Sequence, residues 1–292
     1  MTVKLFYTHL YMTRPHQRLH IILYIGFTMR VRLLFMFLLF PLIFSAQEIT
    51  IPVRFITNIK TVPDRYEGKD TFDWLYTITN NSLRKEKDGR FAEYKNVALG
   101  DIYKVDIQNP LQVVVFYRKF NTAVLLDSQL NETARINFSN ITTPLIAEAV
   151  SLASQNRLWV YDINTQKLGL YTLAQNEFKA ITPPFTDTIR HYQSDYNYFY
   201  WIDSKGQCYA SNLFGKVSYL GNVPEFEKAQ ILSQQLILLK TGNTLYQYNM
   251  KTGSSTRIEI VENSFTGFQY AAQILSIFTE REINQYKVTL PE

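Results

Sequence analysis

A chain of 292 residues with 46% hydrophobic and 19% charged side chains has enough apolar material for a sizeable core, which excludes global disorder. Aromatic residues make up 15%, with 20 Tyr and 20 Phe, a bias toward β-structure. The formal charge of +5 resides in the first 46 residues (Lys4, Arg14, Arg18, Arg30, Arg32 and no acid), and the remaining 246 balance at 25 basic and 25 acidic side chains, which argues against nucleic acid as a partner.

Residues 29–46 have the order of a secretory signal peptide. Arg30 and Arg32 precede an apolar run from Leu33 to Phe44, and the small residues Ser45 and Ala46 close it. Spanning a bilayer takes about 20 apolar residues, so this run is short for a membrane helix. Cleavage is expected after Ala46, leaving a mature chain of 47–292 with no membrane span. Residues 1–28 read as an upstream extension or a mis-called start, with translation expected from Met29. The competing reading is an uncleaved anchor that also uses the apolar patch Leu19–Phe27. No cysteine follows the apolar run, so a lipid anchor is not expected, and the single Cys208 rules out an internal disulfide. Four glycosylation-type sequons begin at Asn80, Asn131, Asn137 and Asn140, which matter only in a host that glycosylates. The expected location is the bacterial periplasm or the outer-membrane surface.

Past the leader, short apolar runs alternate with polar turns, and no long helical period occurs. Asn80, Asp127, Asp162, Asp203 and Asn249 each stand where such a run enters a turn, at spacings of 47, 35, 41 and 46. A repeat near 40 residues in an all-β chain predicts a single β-propeller with one four-stranded blade per period, five to six blades in all. The turns divide it into units at 61–97, 98–141, 142–184, 185–224, 225–261 and 262–290. The last unit is short. The strand-like segment Ile49–Ile59 is expected to complete it and close the ring. The repeated Asp and Asn are read as turn-fixing side chains.

Two of the repeats carry a family likeness. Leu158-Trp159-Val160-Tyr161-Asp162-Ile163-Asn164-Thr165-Gln166-Lys167 and Leu245-Tyr246-Gln247-Tyr248-Asn249-Met250-Lys251-Thr252-Gly253 resemble the Leu-Tyr-x-Leu-Asp-x-x-Thr-Gly-Lys pattern of quinoprotein-like propellers. Cofactor-free propellers of this type include a periplasmic scaffold for outer-membrane protein assembly. The resemblance implies a propeller rather than a quinone enzyme. The Trp-and-Gly docking pattern of those repeats is absent here, and the chain is short for their eight blades.

Little catalytic material is present. His191 is the only histidine after the leader, so a His- or Cys-based metal site or a Ser-His-Asp triad has almost nothing to draw on, and no cofactor is expected. Acids near blade starts, namely Asp101, Asp106, Asp187, Asp195 and Glu225, are the candidates for paired-carboxylate glycan chemistry in a central channel. The mixed-sign run Arg84–Arg90 reads as a solvated hairpin tip. The densest unusual stretch is 191–201, with six aromatics in eleven positions. Its candidate partner or glycan surface is His191, Tyr192, Tyr196, Tyr198 and Trp201, with His191 and Tyr192 expected to be the most exposed. Because Tyr196, Tyr198 and Tyr200 share one alternation phase, the pattern favours the other reading, in which its rings fill the space between blades. The function expected is a non-enzymatic scaffold that binds an envelope protein. The alternative is a propeller that binds or hydrolyses glycans.

Overall fold

The computed structural model describes residues 49–60 and 63–291. The expected signal peptide at 29–46 and the extension at 1–28 lie outside the described residues. The described chain opens with β1 (Thr50–Ile51) and β2 (Arg54–Ile59). Blade 1 is β3 to β6 (Arg65–Lys69, Leu75–Thr79, Ser82–Lys87, Arg90–Tyr94). Blade 2 is β7 to β10 (Lys104–Asp106, Val113–Tyr117, Thr122–Leu126, Glu132–Asn137). Blade 3 is β11 to β14 (Ala147–Ala153, Arg157–Asp162, Lys167–Thr172, Glu177–Ala180). Blade 4 is β15 to β18 (Ile189–Ser194, Tyr198–Asp203, Gln207–Asn212, Val217–Asn222). Blade 5 is β19 to β22 (Lys228–Ile231, Leu236–Thr241, Thr244–Asn249, Ser254–Ile258). Blade 6 takes β23 to β25 (Gly267–Ala271, Ile274–Phe278, Ile283–Lys287) and receives β2 as its outermost strand. The chain is an all-β, six-bladed propeller, and the ring closes through the N-terminal strand as the short last repeat predicts. β1 adds a fifth strand to blade 5, parallel to β22.

The strands in the middle of each blade are continuously apolar because both of their faces are covered. β8 reads Val-Val-Val-Phe-Tyr and is buried throughout. Its Val113, Val115 and Tyr117 pack toward blade 1, and its Val114 and Phe116 toward blade 3. Each of the next three joints is filled in the same way, by blades 3 and 4, 4 and 5, and 5 and 6. At the closing joint Tyr66 lies on Phe278 with ring centres 4.0 Å apart.

The first strands of the blades meet around the central channel, where side-chain amides clasp one blade to the next. Gln193 on β15 donates to the Ile231 carbonyl (2.8 Å) and accepts from the Ile231 N–H (3.0 Å) on β19. Gln230 on β19 makes the same pair of bonds with Tyr270 on β23, both at 2.7 Å. Gln269 on β23 donates to the Glu67 carbonyl on β3 (3.5 Å), and Asp106 on β7 accepts from the Leu152 N–H on β11 (2.8 Å). Backbone groups that the sheets leave unpaired are thereby satisfied across the joints.

Four of the five turn residues work as read, and the alignment of all five needs correction. Asp127, Asp162, Asp203 and Asn249 each accept backbone N–H bonds from residues two to four positions on. Asn80 instead supplies left-handed backbone together with Asn81, at φ 50° and 58°. Asn80, Asp162 and Asp203 stand at the end of the second strand of their blades, whereas Asp127 and Asn249 stand at the end of the third. The series therefore spans two different hairpins of the blade, which place the same kind of side chain, Asp or Asn, at the turn. The second strands end at Thr79, Tyr117, Asp162, Asp203, Thr241 and Phe278, in even steps of 38, 45, 41, 38 and 37 residues.

Candidate functional site

The aromatic stretch 191–201 spans the β15–β16 hairpin, the first and second strands of blade 4. Tyr192 and Trp201 are paired across these strands and buried in the joint with blade 3. Phe185 stacks on Trp201 at 4.1 Å and 8°. Tyr198 is half-buried on the opposite face, toward blade 5. Tyr196 sits in the turn, exposed, with its hydroxyl on the Gln108 carbonyl at 3.3 Å. His191 is walled in edge-on to Phe226 at 6.1 Å. Burial, and secondarily the Lys104 charge, pushes its pKa down to about 3. The exposure expected for His191 and Tyr192 is thus reversed. A first strand is enclosed by its two neighbours and the channel wall, so its side chains have little access to bulk water.

Each of the five candidate acids has its own local partner. Asp101 pairs with Lys119 (2.9 Å), Asp187 with Lys205 (3.0 Å) and Glu225 with Arg190 (2.8 Å). Asp195 caps the Asn197 and Tyr198 N–H groups, both at 2.7 Å. Asp106 holds the Gln108 and Leu152 N–H groups (2.9 and 2.8 Å), and burial raises its pKa. No hydrogen bond or ion pair links any two of these acids among the described residues. Cys208 is buried, and burial lifts its thiol pKa to about 12, far from a thiolate nucleophile. Among the described residues no three His, Cys, Asp or Glu side chains come together as metal ligands, and no helix is long and apolar enough to cross a membrane.

The channel holds a cavity of about 160 Å³ whose lining combines Lys104, Asp106, Gln108, Ser151, Gln193 and Ser194 with the apolar Val105 and Ile107. Lys104 reaches from blade 2 to the Tyr192 carbonyl (2.7 Å) and lies 3.5 Å from the centre of the Tyr192 ring. Burial lowers its pKa to about 8 against the opposing pull of Asp106 and Glu67. Gln108 Nε2, Ser151 Oγ and Ser194 Oγ have no hydrogen-bond partner in the protein. Groups of this kind suit water or a small neutral polar guest.

One outward-facing apolar feature was not visible as a sequence motif. Because the strands are antiparallel, the turn after the second strand and the link into the next blade lie at the same end of every blade. At that end of blades 2 and 3, Tyr103, Phe120, Ile146 and Ile163 are 38–50% exposed. They are rigidly mounted. Arg118 lies 4.1 Å over the Tyr103 ring and pairs with Glu148 at 2.6 Å. Asn121 donates to the Leu145 carbonyl (2.6 Å) and accepts from the Ala147 N–H (2.9 Å), and the Ile163 N–H bonds the Ile146 carbonyl (3.0 Å). The arc continues to blade 4, where Pro183, Pro184, Phe185, Trp201, Tyr209 and Val217 line a pocket of about 240 Å³. A rigid, partly apolar arc rimmed by ion pairs is the composition of a protein-docking surface.

The fold defines the class of this protein, a six-bladed β-propeller, as the repeat resemblance implies. No family model matches the chain, and no curated protein matches it. Solved structures do. The β-propeller domain of Cps50 (Swd1) from Myceliophteria thermophila is 10% identical with a TM-score of 0.55, covering 82% of this chain and 100% of that one. Virginiamycin B lyase from Staphylococcus aureus, as an inactive variant with quinupristin, is 8% identical with a TM-score of 0.52, covering 80% and 99%. A streptogramin B lyase structure is 12% identical with a TM-score of 0.51, covering 80% and 79%. At such identity the likeness shows the fold alone.

Proposed function

We propose that this chain is an exported, non-enzymatic propeller that serves as a protein-interaction scaffold at a bacterial cell envelope, and that it docks its partner on the loop face over blades 2 to 4. The observation that carries the reading is the set of exposed apolar side chains Tyr103, Phe120, Ile146 and Ile163 at one end of blades 2 and 3, braced by the Arg118–Glu148 pair. Export rests on the arginine-led apolar run of residues 29–46.

The test is affinity purification of the mature protein from its native envelope beside the double variant Phe120→Ser, Ile146→Ser. Both positions are exposed, so the variant is expected to melt within a few degrees of the wild type. A stoichiometric partner should co-elute with the wild type, and the double variant should lose at least tenfold of it. Equal recovery by both proteins, or no partner on the wild type, sinks the reading. Glycan binding has less support. The Trp201 ring stacks on Phe185 at 4.1 Å and on Tyr209 at 5.3 Å, so its faces are already covered.

A further inference from the structure

Blade 4 presents an outer edge unlike those of the other blades. The outermost strands β6, β10, β14 and β2 each contain at least one charged residue (Arg90 and Glu93, Glu132 and Arg135, Glu177 and Lys179, and Arg54), and blade 5 ends in β1, a strand of only two residues laid over β22. Charged side chains on an edge strand discourage pairing with other chains. β18, Val-Ser-Tyr-Leu-Gly-Asn, has none, and its Val217 and Tyr219 are exposed. The hairpin leading into it is closed by the Asn212 N–H on the Lys216 carbonyl (3.2 Å), with Ser211 opposite Val217, Ala210 opposite Ser218 and Tyr209 opposite Tyr219. Alternation of bonded and non-bonded pairs then turns the Val217 and Tyr219 N–H and C=O groups outward, off the sheet.

The same register builds a row of rings across the blade. Tyr192, Trp201, Tyr209 and Tyr219 stand opposite one another on β15, β16, β17 and β18, from the channel wall to the edge. The row ends at Tyr219, whose outer side has no fifth strand. We propose that β18 receives an extended segment of a partner protein as a fifth strand, and that this segment is uncharged along the edge, carries an aromatic residue opposite Tyr219 and ends in an acid beside Lys216. Lys216 precedes β18, and its ammonium has no acidic partner among the described residues, which supplies the charge complementarity.

A flexible segment fits better than a second rigid disk. Stable interfaces bury about 1,200–2,000 Å² in all, more than one six-residue edge offers two disks. The chain already accepts such an addition where β1 pairs with β22 on blade 5. Val217 and Tyr209 also line the pocket at the end of the docking arc, so the edge and the face are continuous. The inference therefore rests on the docking reading and names the form of the partner's contact.

The probe is a synthetic peptide of alternating Thr and Val with a central Tyr and a terminal Asp, added at millimolar concentration to the intact mature protein. Amide exchange is followed by NMR. Exchange at Val217 and Tyr219 should slow at least threefold and that at Ser218 should not change. The effect should vanish with a proline-interrupted peptide and in the variants Val217→Lys and Tyr219→Lys, whose melting temperatures confirm folding. Unaltered exchange at Val217 and Tyr219 overturns the inference. Envelope capture separates the two proposals. A partner lost by Phe120→Ser, Ile146→Ser but kept by Val217→Lys leaves the docking reading standing and removes the edge contact. Absence of any partner on the wild type removes the docking reading itself.

Discussion

His191 shows how far an environment can invert the expectation for a residue. A histidine in a polar, tyrosine-rich stretch reads as a surface group, yet it is enclosed beside Phe226 and the Lys104 ammonium. Both burial and the like charge disfavour the imidazolium, which moves its pKa from 6.5 to about 3. Between those values the unfolded chain binds a proton that the folded chain does not. The stabilisation is complete above pH 6.5 and is lost as pH falls toward 3. Urea unfolding should therefore show wild-type stability dropping by up to about 1.4 kcal/mol per pH unit below pH 6, relative to His191→Phe. A wild-type-minus-variant difference that stays constant from pH 7 to pH 5 would refute this account. The acids were easier to read. Asp101, Asp187 and Glu225 do lie on the links that enter first strands, but each is neutralised by a base that sequence distance hides.

Among the elements, the first strands carry the least obvious information. Gln193, Gln230 and Gln269 recur at steps of 37 and 39 residues, close to the blade period, and each clasps the next blade. That spacing was available as a signal, but glutamine in a strand has no motif value until the neighbouring backbone is known. Replacing Gln230 with Leu leaves the Tyr270 N–H and C=O without their partner. The expected cost is about 1–3 kcal/mol, or a fall of a few degrees in melting temperature. A circular-dichroism melt shifted by less than one degree would show that channel water replaces the clasp at no cost. The turns tell the opposite story. Asp127, Asp162, Asp203 and Asn249 act locally, through amides two to four residues on, so their role was legible without the fold. Their places within the blades were not, because every hairpin of a blade poses the same local problem.

For the whole molecule, closure is the decisive feature. β2 pairs with β25 from Arg54–Lys287 to Ile59–Ile283, so blade 6 is completed by residues more than 220 positions away. A mature chain starting at Lys60 would lose β1 and β2 and bare the β25 edge. It should melt at least 10 °C lower and run as higher oligomers in light-scattering chromatography, and a peptide spanning Arg54–Ile59 should recover part of the loss. A monomeric, equally stable truncation would mean that the ring needs no such latch. The sequence by itself determined the all-β class and the period near 40, and it narrowed the ring to five or six units with the first strand as the closing one, because strand runs and turns are local patterns with a fixed repeat. Only the tertiary structure decided which faces are wet. Tyr192 and Trp201 are interior and Phe120 and Ile146 exterior because exposure depends on which blade stands opposite, and the partner across each joint comes from a different repeat of the chain.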